Sequence, residues 1–117
     1  MKKVFLPITA IIIVAGLSYC SGSRKTAAVV IPKMNYETDV LHIVSEKCSP
    51  CHFPDKRGNK PPLNSYALVS ASIDNIISRI EMHPGEKGFM PFKNPRLSDS
   101  LINVFKQWKA DGLIEKK

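Results

Sequence analysis

Two thiols and an imidazole fall within five consecutive residues, Cys48-Ser49-Pro50-Cys51-His52. Thiols three residues apart on a turn can each form a thioether with one of the two vinyl groups of a porphyrin, and the His that follows can then bind the iron. C-x-x-C-H is the attachment signature of c-type haem. The sequence therefore predicts one covalent haem c, held by Cys48 and Cys51, with His52 as the proximal iron ligand.

Three other uses of these side chains compete with haem attachment. A disulfide between Cys48 and Cys51 would leave His52 without a role. A redox pair of thioredoxin type needs a βαβ context, which the chain lacks. A zinc site would need a fourth ligand such as His83, and adjacent Cys and His side chains do not easily share one tetrahedral ion. Haem attachment is the use that gives all three residues a function.

The sixth ligand of such an iron sets its potential and decides whether small molecules can bind. Met90 is the predicted ligand, because it lies in a loop over residues 88–92 and the following Pro91 fixes the local backbone. The commoner use of a Met is core packing, which is the alternative role for Met90. Other donors in the chain are Met34, His42, Met82 and His83. Met82 and His83 are the rival ligands, and ligation by His83 would lower the potential.

Hydrophobic periodicity predicts three helical segments and no strand. The segments cover about residues 38–48, residues 65–83 with a break at Ser72, and residues 98–112. Thr38 and Ser98 are the predicted N-caps, and Gly112 is the predicted end of the last helix. The apolar stripes of the second and last segments are Ile73, Ile76, Ile77 and Ile80, and Leu101, Ile102, Phe105 and Trp108. The chain is expected to be all-α.

The first 19 residues have the pattern of an export signal. Lys2 and Lys3 give a positive start, and residues 4–17 form a mostly apolar run. A transmembrane helix needs roughly 20 apolar residues, so a cleaved signal peptide over residues 1–19 fits this run better.

A lipid anchor is predicted directly after this signal. Residues 17–20, Leu-Ser-Tyr-Cys, resemble the lipobox of bacterial lipoproteins, in which the Cys becomes the lipidated first residue of the mature chain. Tyr19 stands where that motif prefers Gly or Ala. We therefore expect lipidation at Cys20 and a flexible tether over residues 20–37, with ordinary cleavage near Ser23 or an uncleaved anchor as alternatives.

The remaining domain, residues 38–117, is small. The protein has 117 residues, of which 44% are apolar, and Lys2 and Lys3 supply two units of its +7 formal charge. A core this thin commonly depends on a staple such as a disulfide, a metal or another bound group. A buried haem would add apolar contact, with the expected neighbours Leu63, Tyr66, Leu68, Ile77, Ile80, Phe89 and Leu97. Its propionates would need partners, for which the candidates are Lys60, Tyr66, Arg79, Arg96 and Trp108.

The order of these pieces resembles small bacterial class I cytochromes c, and more closely the single-haem domains that bacteria export or anchor as lipoproteins. The matching pieces are Cys48-Ser49-Pro50-Cys51-His52, Ile76-Ile77-Ser78-Arg79-Ile80, Met90-Pro91, Leu97-Ser98-Asp99 and Trp108-Lys109-Ala110-Asp111-Gly112, within residues 38–115. The resemblance implies a fold of three to four helices wrapped around one covalent haem. It also implies that the first and last helices cross, that Phe105 and Trp108 belong to this crossing or to the haem wall, and that His52 and Met90 ligate the iron from opposite faces.

Electron transfer is the expected function. An iron held by both His52 and Met90 has no open position for a substrate and changes its charge by one unit, so no enzymatic activity is expected. The alternative is a haem-based sensor or ligand-binding domain in which the Met90 bond is weak or absent.

Redox proteins with acidic docking surfaces are the expected partners. Basic residues flank both the haem motif and Met90 and predict a positive rim: Lys56, Arg57, Lys60, Lys87 and Lys93. The predicted location is the periplasmic side of a bacterial membrane, reached through export and held by the lipid on Cys20. No motif for binding nucleic acid is recognisable.

Overall fold

The computed structural model describes residues 31–116, and within this range the fold is helical without a strand. Its elements are a π-helical turn Tyr36–Val40, helix α1 Leu41–Lys47, a 3-10 turn Pro54–Lys56, and helices α2 Tyr66–Ala71, α3 Ile73–Glu81 and α4 Asp99–Ala110. The all-α prediction is confirmed for this part of the chain. The predicted signal peptide, Cys20 and tether residues 20–30 lie outside the described residues. No helix within residues 31–116 has the length and apolar character needed to cross a membrane.

The first helical segment begins earlier than the sequence predicts. Asn35 is the N-cap, because its side-chain Oδ1 accepts a hydrogen bond from the backbone N–H of Thr38 at 3.0 Å. The Asn35 N–H in turn donates to Oδ2 of Asp39 at 2.7 Å. The prediction of Thr38 as the cap was therefore wrong. Asn35 and Tyr36 are buried, so the packed body extends into the stretch assigned to the tether.

The middle and last helices follow the predicted pattern. Ser65 caps α2 and Ser98 caps α4, each by accepting a hydrogen bond from the backbone N–H three residues later. Gly112 follows α4 with a φ of +98°, a left-handed conformation that suits Gly. The predicted stripes supply the buried faces of α3 and α4, which pack on each other: Ile73, Ile76, Ile80, Ile102, Phe105 and Trp108.

An aromatic cluster joins the two ends of the described chain. The ring of Tyr36 lies 5.6 Å from that of Tyr66 and 5.8 Å from that of Trp108, measured between centroids. Trp108 donates through Nε1 to the carbonyl of Ile114, and the N–H of Tyr36 donates to the same carbonyl, each at 2.8 Å. The π-helical turn thus packs on α4, and the segment after α4 closes over their junction.

Candidate functional site

All four residues predicted to hold haem line one cavity of about 440 Å³: Cys48, Cys51, His52 and Met90. They come from two separate connections, since the first three follow α1 and Met90 lies between α3 and α4. Much of the remaining wall is apolar and comes from helices and loops on every side, including Ile43, Leu63, Ile76, Ile80, Leu97 and Phe105. A volume within the range of roughly 300–1,000 Å³ and a largely apolar lining are typical of sites for organic ligands.

The motif forms a turn at the end of α1. The N–H of Cys48 continues the helix by donating to the carbonyl of Val44, and the N–H of His52 donates to the carbonyl of Cys48 at 3.1 Å. The loop that follows then returns to this turn. Lys60 donates through its N–H to the carbonyl of Cys51 at 3.0 Å, and Leu63 donates to that of His52 at 2.9 Å. Backbone hydrogen bonds on both sides therefore fix the direction in which the motif presents its side chains.

Gly58 allows the loop to lie this close to the motif. A Cβ atom at this position would lie 2.3 Å from the carbonyl oxygen of Pro50 and 2.5 Å from that of Cys51. Both distances are far shorter than a non-bonded contact, and both neighbours are backbone atoms that cannot rotate away. The close approach of the two segments thus depends on a residue without a side chain.

One ring nitrogen of His52 is fixed by the same loop. Its Nδ1 lies 2.7 Å from the carbonyl oxygen of Pro61. A carbonyl can only accept, so Nδ1 carries the proton and donates. In the neutral ring this leaves the lone pair on Nε2, the nitrogen that can then bind a metal. The loop thereby selects the tautomer that a metal ligand needs.

The two thiols differ in their surroundings. Both are free; Cys51 is exposed, whereas Cys48 is partly buried and burial raises the pKa of its thiol to about 11. Nucleophilic redox thiols usually have a lowered pKa, produced by nearby positive charge or a helix N-terminus. Cys48 lies instead at a helix C-terminus in apolar surroundings. These surroundings do not favour a redox pair of thioredoxin type.

Met90 is held against the end of α3. Its N–H donates to the carbonyl of Arg79 at 3.2 Å, and the adjacent Phe89 is buried with 8% of its surface exposed. The other four candidate ligands, Met34, His42, Met82 and His83, do not line the cavity. Both His side chains among them are exposed. Among these candidates, Met90 is therefore the thioether that lines the same cavity as His52.

The cavity lining is positively charged. Lys47, Lys60 and Arg79 contribute to it, and no Asp or Glu lines it in the part of the chain that the structure describes. Lys60 and Arg79 are two of the five candidate partners for haem propionates, and Arg79 also donates to Asn75 and to the carbonyl of Gly88. The other three have different contacts: Tyr66 donates to Leu113, Trp108 to Ile114, and Arg96 to Asp99 and Leu97.

Only some of the apolar residues expected to surround a haem line the cavity. Leu63, Ile80 and Leu97 line the cavity, whereas Tyr66, Leu68, Ile77 and Phe89 do not. Phe105 faces the cavity, while Trp108 belongs to the junction of the chain ends. Sequence reasoning missed the roles of Gly58 and Pro61. The signals available for them were a Gly in the loop after the motif and the rigid Pro61-Pro62 pair.

The described residues offer no alternative centre for a metal. Within residues 31–116 no three His, Cys, Asp or Glu side chains lie together in a way that could hold an ion. His83, the fourth zinc ligand considered from the sequence, does not line the cavity that contains the two thiols.

Comparison of the chain with protein-family models, with curated proteins and with solved structures finds no match.

Proposed function

We propose that the protein is an electron carrier that binds one c-type haem in the cavity between α1, α3 and α4. The observation that carries this proposal is the meeting of four groups in that cavity: two thiols, one imidazole and one thioether, from Cys48, Cys51, His52 and Met90. This donor set is the one that a covalent haem with His and Met ligation requires. The motif and Met90 lie about forty residues apart in the sequence, so only the fold brings them to one cavity.

Each residue has a distinct task in this proposal. Cys48 and Cys51 form the two thioethers, which prevent loss of the cofactor. His52 would bind through Nε2, because its Nδ1–H donates a hydrogen bond to the carbonyl of Pro61. Met90 would supply a thioether ligand to the iron from a segment tied to α3. When bound, haem supplies an iron that gains and loses one electron with its ligands unchanged. With both His52 and Met90 bound, the iron would have no open position for a substrate, which favours electron transfer.

The charge of the site supports a partner of opposite sign. Lys60 is exposed and lines the cavity. Two more exposed lysines lie near cavity residues in the sequence: Lys56, 5.0 Å from the ring centroid of Phe53, and Lys93, 5.4 Å from that of Phe92. We propose that an acidic redox protein docks against these three lysines. Electrostatic steering would speed its association at low salt, and the rate would fall as salt screens the charges.

The proposed cellular location rests on the N-terminal sequence. We propose export and lipidation at Cys20, which would hold the protein at the periplasmic side of a bacterial membrane. The test is fractionation of the exported protein: the wild type is expected with membranes, and Cys20→Ser in the soluble fraction. Equal distribution of the two would contradict the lipid anchor and leave the haem proposal unaffected.

The ligand assignment is tested by absorption spectra of the purified protein. Reduced-minus-oxidised spectra are expected to have the bands of haem c. The ferric form is expected to have the sulfur-to-iron charge-transfer band of Met ligation. Met90→Ala removes this band, and Met82→Ala, at a Met that does not line the cavity, retains it. Survival of the band in Met90→Ala would show that another residue is the ligand.

Carbon monoxide separates a carrier from a sensor. Two axial side chains block the iron, so the reduced wild type is expected to bind carbon monoxide poorly, and Met90→Ala to bind it readily. If the wild type bound carbon monoxide as readily as Met90→Ala, the result would contradict the electron-carrier proposal and favour a haem-based sensor.

A further inference from the structure

The side chain of Arg79 connects α3 to the segment that carries Met90. Its Nη1 donates to the carbonyl of Gly88 at 3.2 Å, and its Nε donates to Oδ1 of Asn75, one turn earlier on the helix, at 2.7 Å. The backbone carbonyl of Arg79 also accepts the N–H of Met90 at 3.2 Å. One residue therefore holds this segment at two positions, two residues apart.

The contact between Arg79 and Gly88 depends on the absence of a side chain at Gly88. Its φ of +103° is a left-handed value that other residues rarely adopt, and a Cβ at this position would lie 3.1 Å from Nη1 of Arg79. The space beside the carbonyl is thus filled by the guanidinium. Asn75 restrains the same side chain by a second hydrogen bond, which it accepts from Nε of Arg79.

Few other hydrogen bonds restrain this part of the connection, although the side chain of Phe89 is buried. In the part of the chain that the structure describes, both hydrogen bonds that join residues 88–90 to α3 go through Arg79. The remaining backbone bond of the segment, from Phe89 to the carbonyl of Glu86, is internal to the connection. Loss of the guanidinium would leave a single main-chain hydrogen bond between this segment and the helix.

We propose that Arg79 is a positioning residue that keeps Met90 in place as an iron ligand by fixing the Gly88 carbonyl to α3. This inference rests on the proposed function and adds a residue to it. Arg79 acts through Met90, because its contacts are with the backbone that carries the thioether. Its removal is expected to raise the fraction of protein in which the Met90 bond is open, with the haem still attached through Cys48 and Cys51.

Imidazole is the probe, since it binds ferric iron only where Met90 has left. The apparent affinity of a ligand scales with the fraction of protein that is competent to bind it. We expect Arg79→Ala to lower the apparent Kd for imidazole about tenfold, which corresponds to about 1.4 kcal/mol. Arg79→Lys keeps the charge and loses the two-point contact, so its Kd is expected to lie between those of Arg79→Ala and the wild type. Arg79→Lys also carries the test if Arg79→Ala does not fold.

Arg96→Ala is the matched control. Arg96 also donates to a backbone carbonyl of this connection, that of Leu97, but its partners are Leu97 and Asp99 rather than residues 88–90. Its Kd for imidazole is expected within twofold of the wild type. An equal decrease in both variants would overturn the proposal, because it would indicate general loosening of the fold.

A double-mutant cycle tests whether Arg79 acts through Met90. In a Met90→Ala background no thioether remains to be positioned, so Arg79→Ala should leave the Kd for imidazole unchanged. Persistence of the tenfold effect there would overturn the proposal, as would a Kd for Arg79→Ala within twofold of the wild type. A wild type with haem but without the charge-transfer band would contradict the proposed function itself. The two failures are therefore distinguishable.

Discussion

At the scale of single residues, the site depends on what each side chain has left to offer after its protein contacts are made. His52 uses Nδ1 for the carbonyl of Pro61, which leaves Nε2 for a metal. Tyr66 and Trp108 have the opposite outcome, because their polar atoms are occupied by carbonyls at the junction of the chain ends. The same principle leaves His52 able to bind a metal and makes Tyr66 and Trp108 poor candidates for holding a haem propionate.

Replacement of Met90 by His tests the ligand without opening the site. The variant Met90→His exchanges a soft thioether for an imidazole, so the reduction potential is expected to fall, and the iron should still bind carbon monoxide poorly. Spectroelectrochemistry measures the potential. Met82→His is the matched control, since Met82 does not line the cavity, and its potential is expected to equal that of the wild type. An unchanged potential in Met90→His would mean that Met90 is not a ligand.

The types and spacing of side chains were sufficient to select Cys48, Cys51, His52 and Met90 as candidates, and the structure places all four around one cavity. They could not predict Pro61, because its role belongs to a backbone carbonyl, which every residue possesses. They favoured Met90 over Met82 through its loop position and Pro91, but they could not show which of the two side chains lines a cavity. That distinction depends on which thioether the connection after α3 turns toward the cavity, a property of the folded chain.

At the scale of elements, two irregular connections carry the site, and helices hold them in place. The loop after the motif returns to it through Lys60 and Leu63, and the segment of Met90 is tied to α3 through Arg79. Loops need such anchors, because they have no repeating hydrogen-bond pattern of their own. The rigidity of the site therefore comes from contacts between loop and helix end.

Gly58→Ala tests the first of these connections. The added methyl group would meet the carbonyl oxygens of Pro50 and Cys51, so the loop must move away from the motif. We expect a loss of about 1–3 kcal/mol in the free energy of unfolding of the haem-loaded protein, measured by denaturant titration. Asn59→Ala, at the exposed neighbouring position, should change it by less than about 0.5 kcal/mol. Equal stability of Gly58→Ala and wild type would contradict the close contact.

Periodicity predicted α3 and α4 well, because their apolar stripes and Ser98 cap are local signals. The start of the first segment was missed because Asn35 and Thr38 are both suitable caps. The choice between them depends on the hydrogen bonds from Thr38 to Asn35 and from Asn35 to Asp39, which sequence alone does not rank.

At the scale of the whole molecule, the two ends of the described chain meet on the side of α4 that carries Trp108. Tyr36, Tyr66 and Trp108 form one aromatic cluster there, and none of the three lines the cavity. Burial raises the pKa of Tyr36, and its hydroxyl has no hydrogen-bond partner among residues 31–116. The hydroxyl of Tyr66, in contrast, donates to the carbonyl of Leu113 at 2.8 Å.

This difference predicts that the same substitution, Tyr to Phe, changes the melting temperature differently at the two positions. Tyr66→Phe removes a hydrogen bond and should cost about 1 kcal/mol, which lowers the melting temperature by roughly 4–8 °C. Tyr36→Phe removes a buried polar group without a described partner, so its melting temperature should equal or exceed that of the wild type. Calorimetry of the haem-loaded proteins measures both. A decrease for Tyr36→Phe as large as that for Tyr66→Phe would show that the Tyr36 hydroxyl has a stabilising contact.

The cavity itself is the property that sequence could least predict. The stripe of α4 contains both Phe105, which faces the cavity, and Trp108, which faces the chain ends. Both residues are buried and apolar, so hydrophobic patterning treats them alike. Their different roles arise only when α3, the π-helical turn and the connections pack around α4.

Covalent haem attachment is tested most directly by the mass of the denatured protein, isolated after expression and export of the full-length chain. Covalent haem survives denaturation, so the wild type is expected to carry the mass of one haem. The Cys48→Ser/Cys51→Ser double variant should lose it, and the matched variant Cys20→Ser should keep it. A wild-type mass equal to that of the processed polypeptide without haem would contradict covalent haem attachment. So would a mass lower by only the two hydrogens lost in a Cys48–Cys51 disulfide.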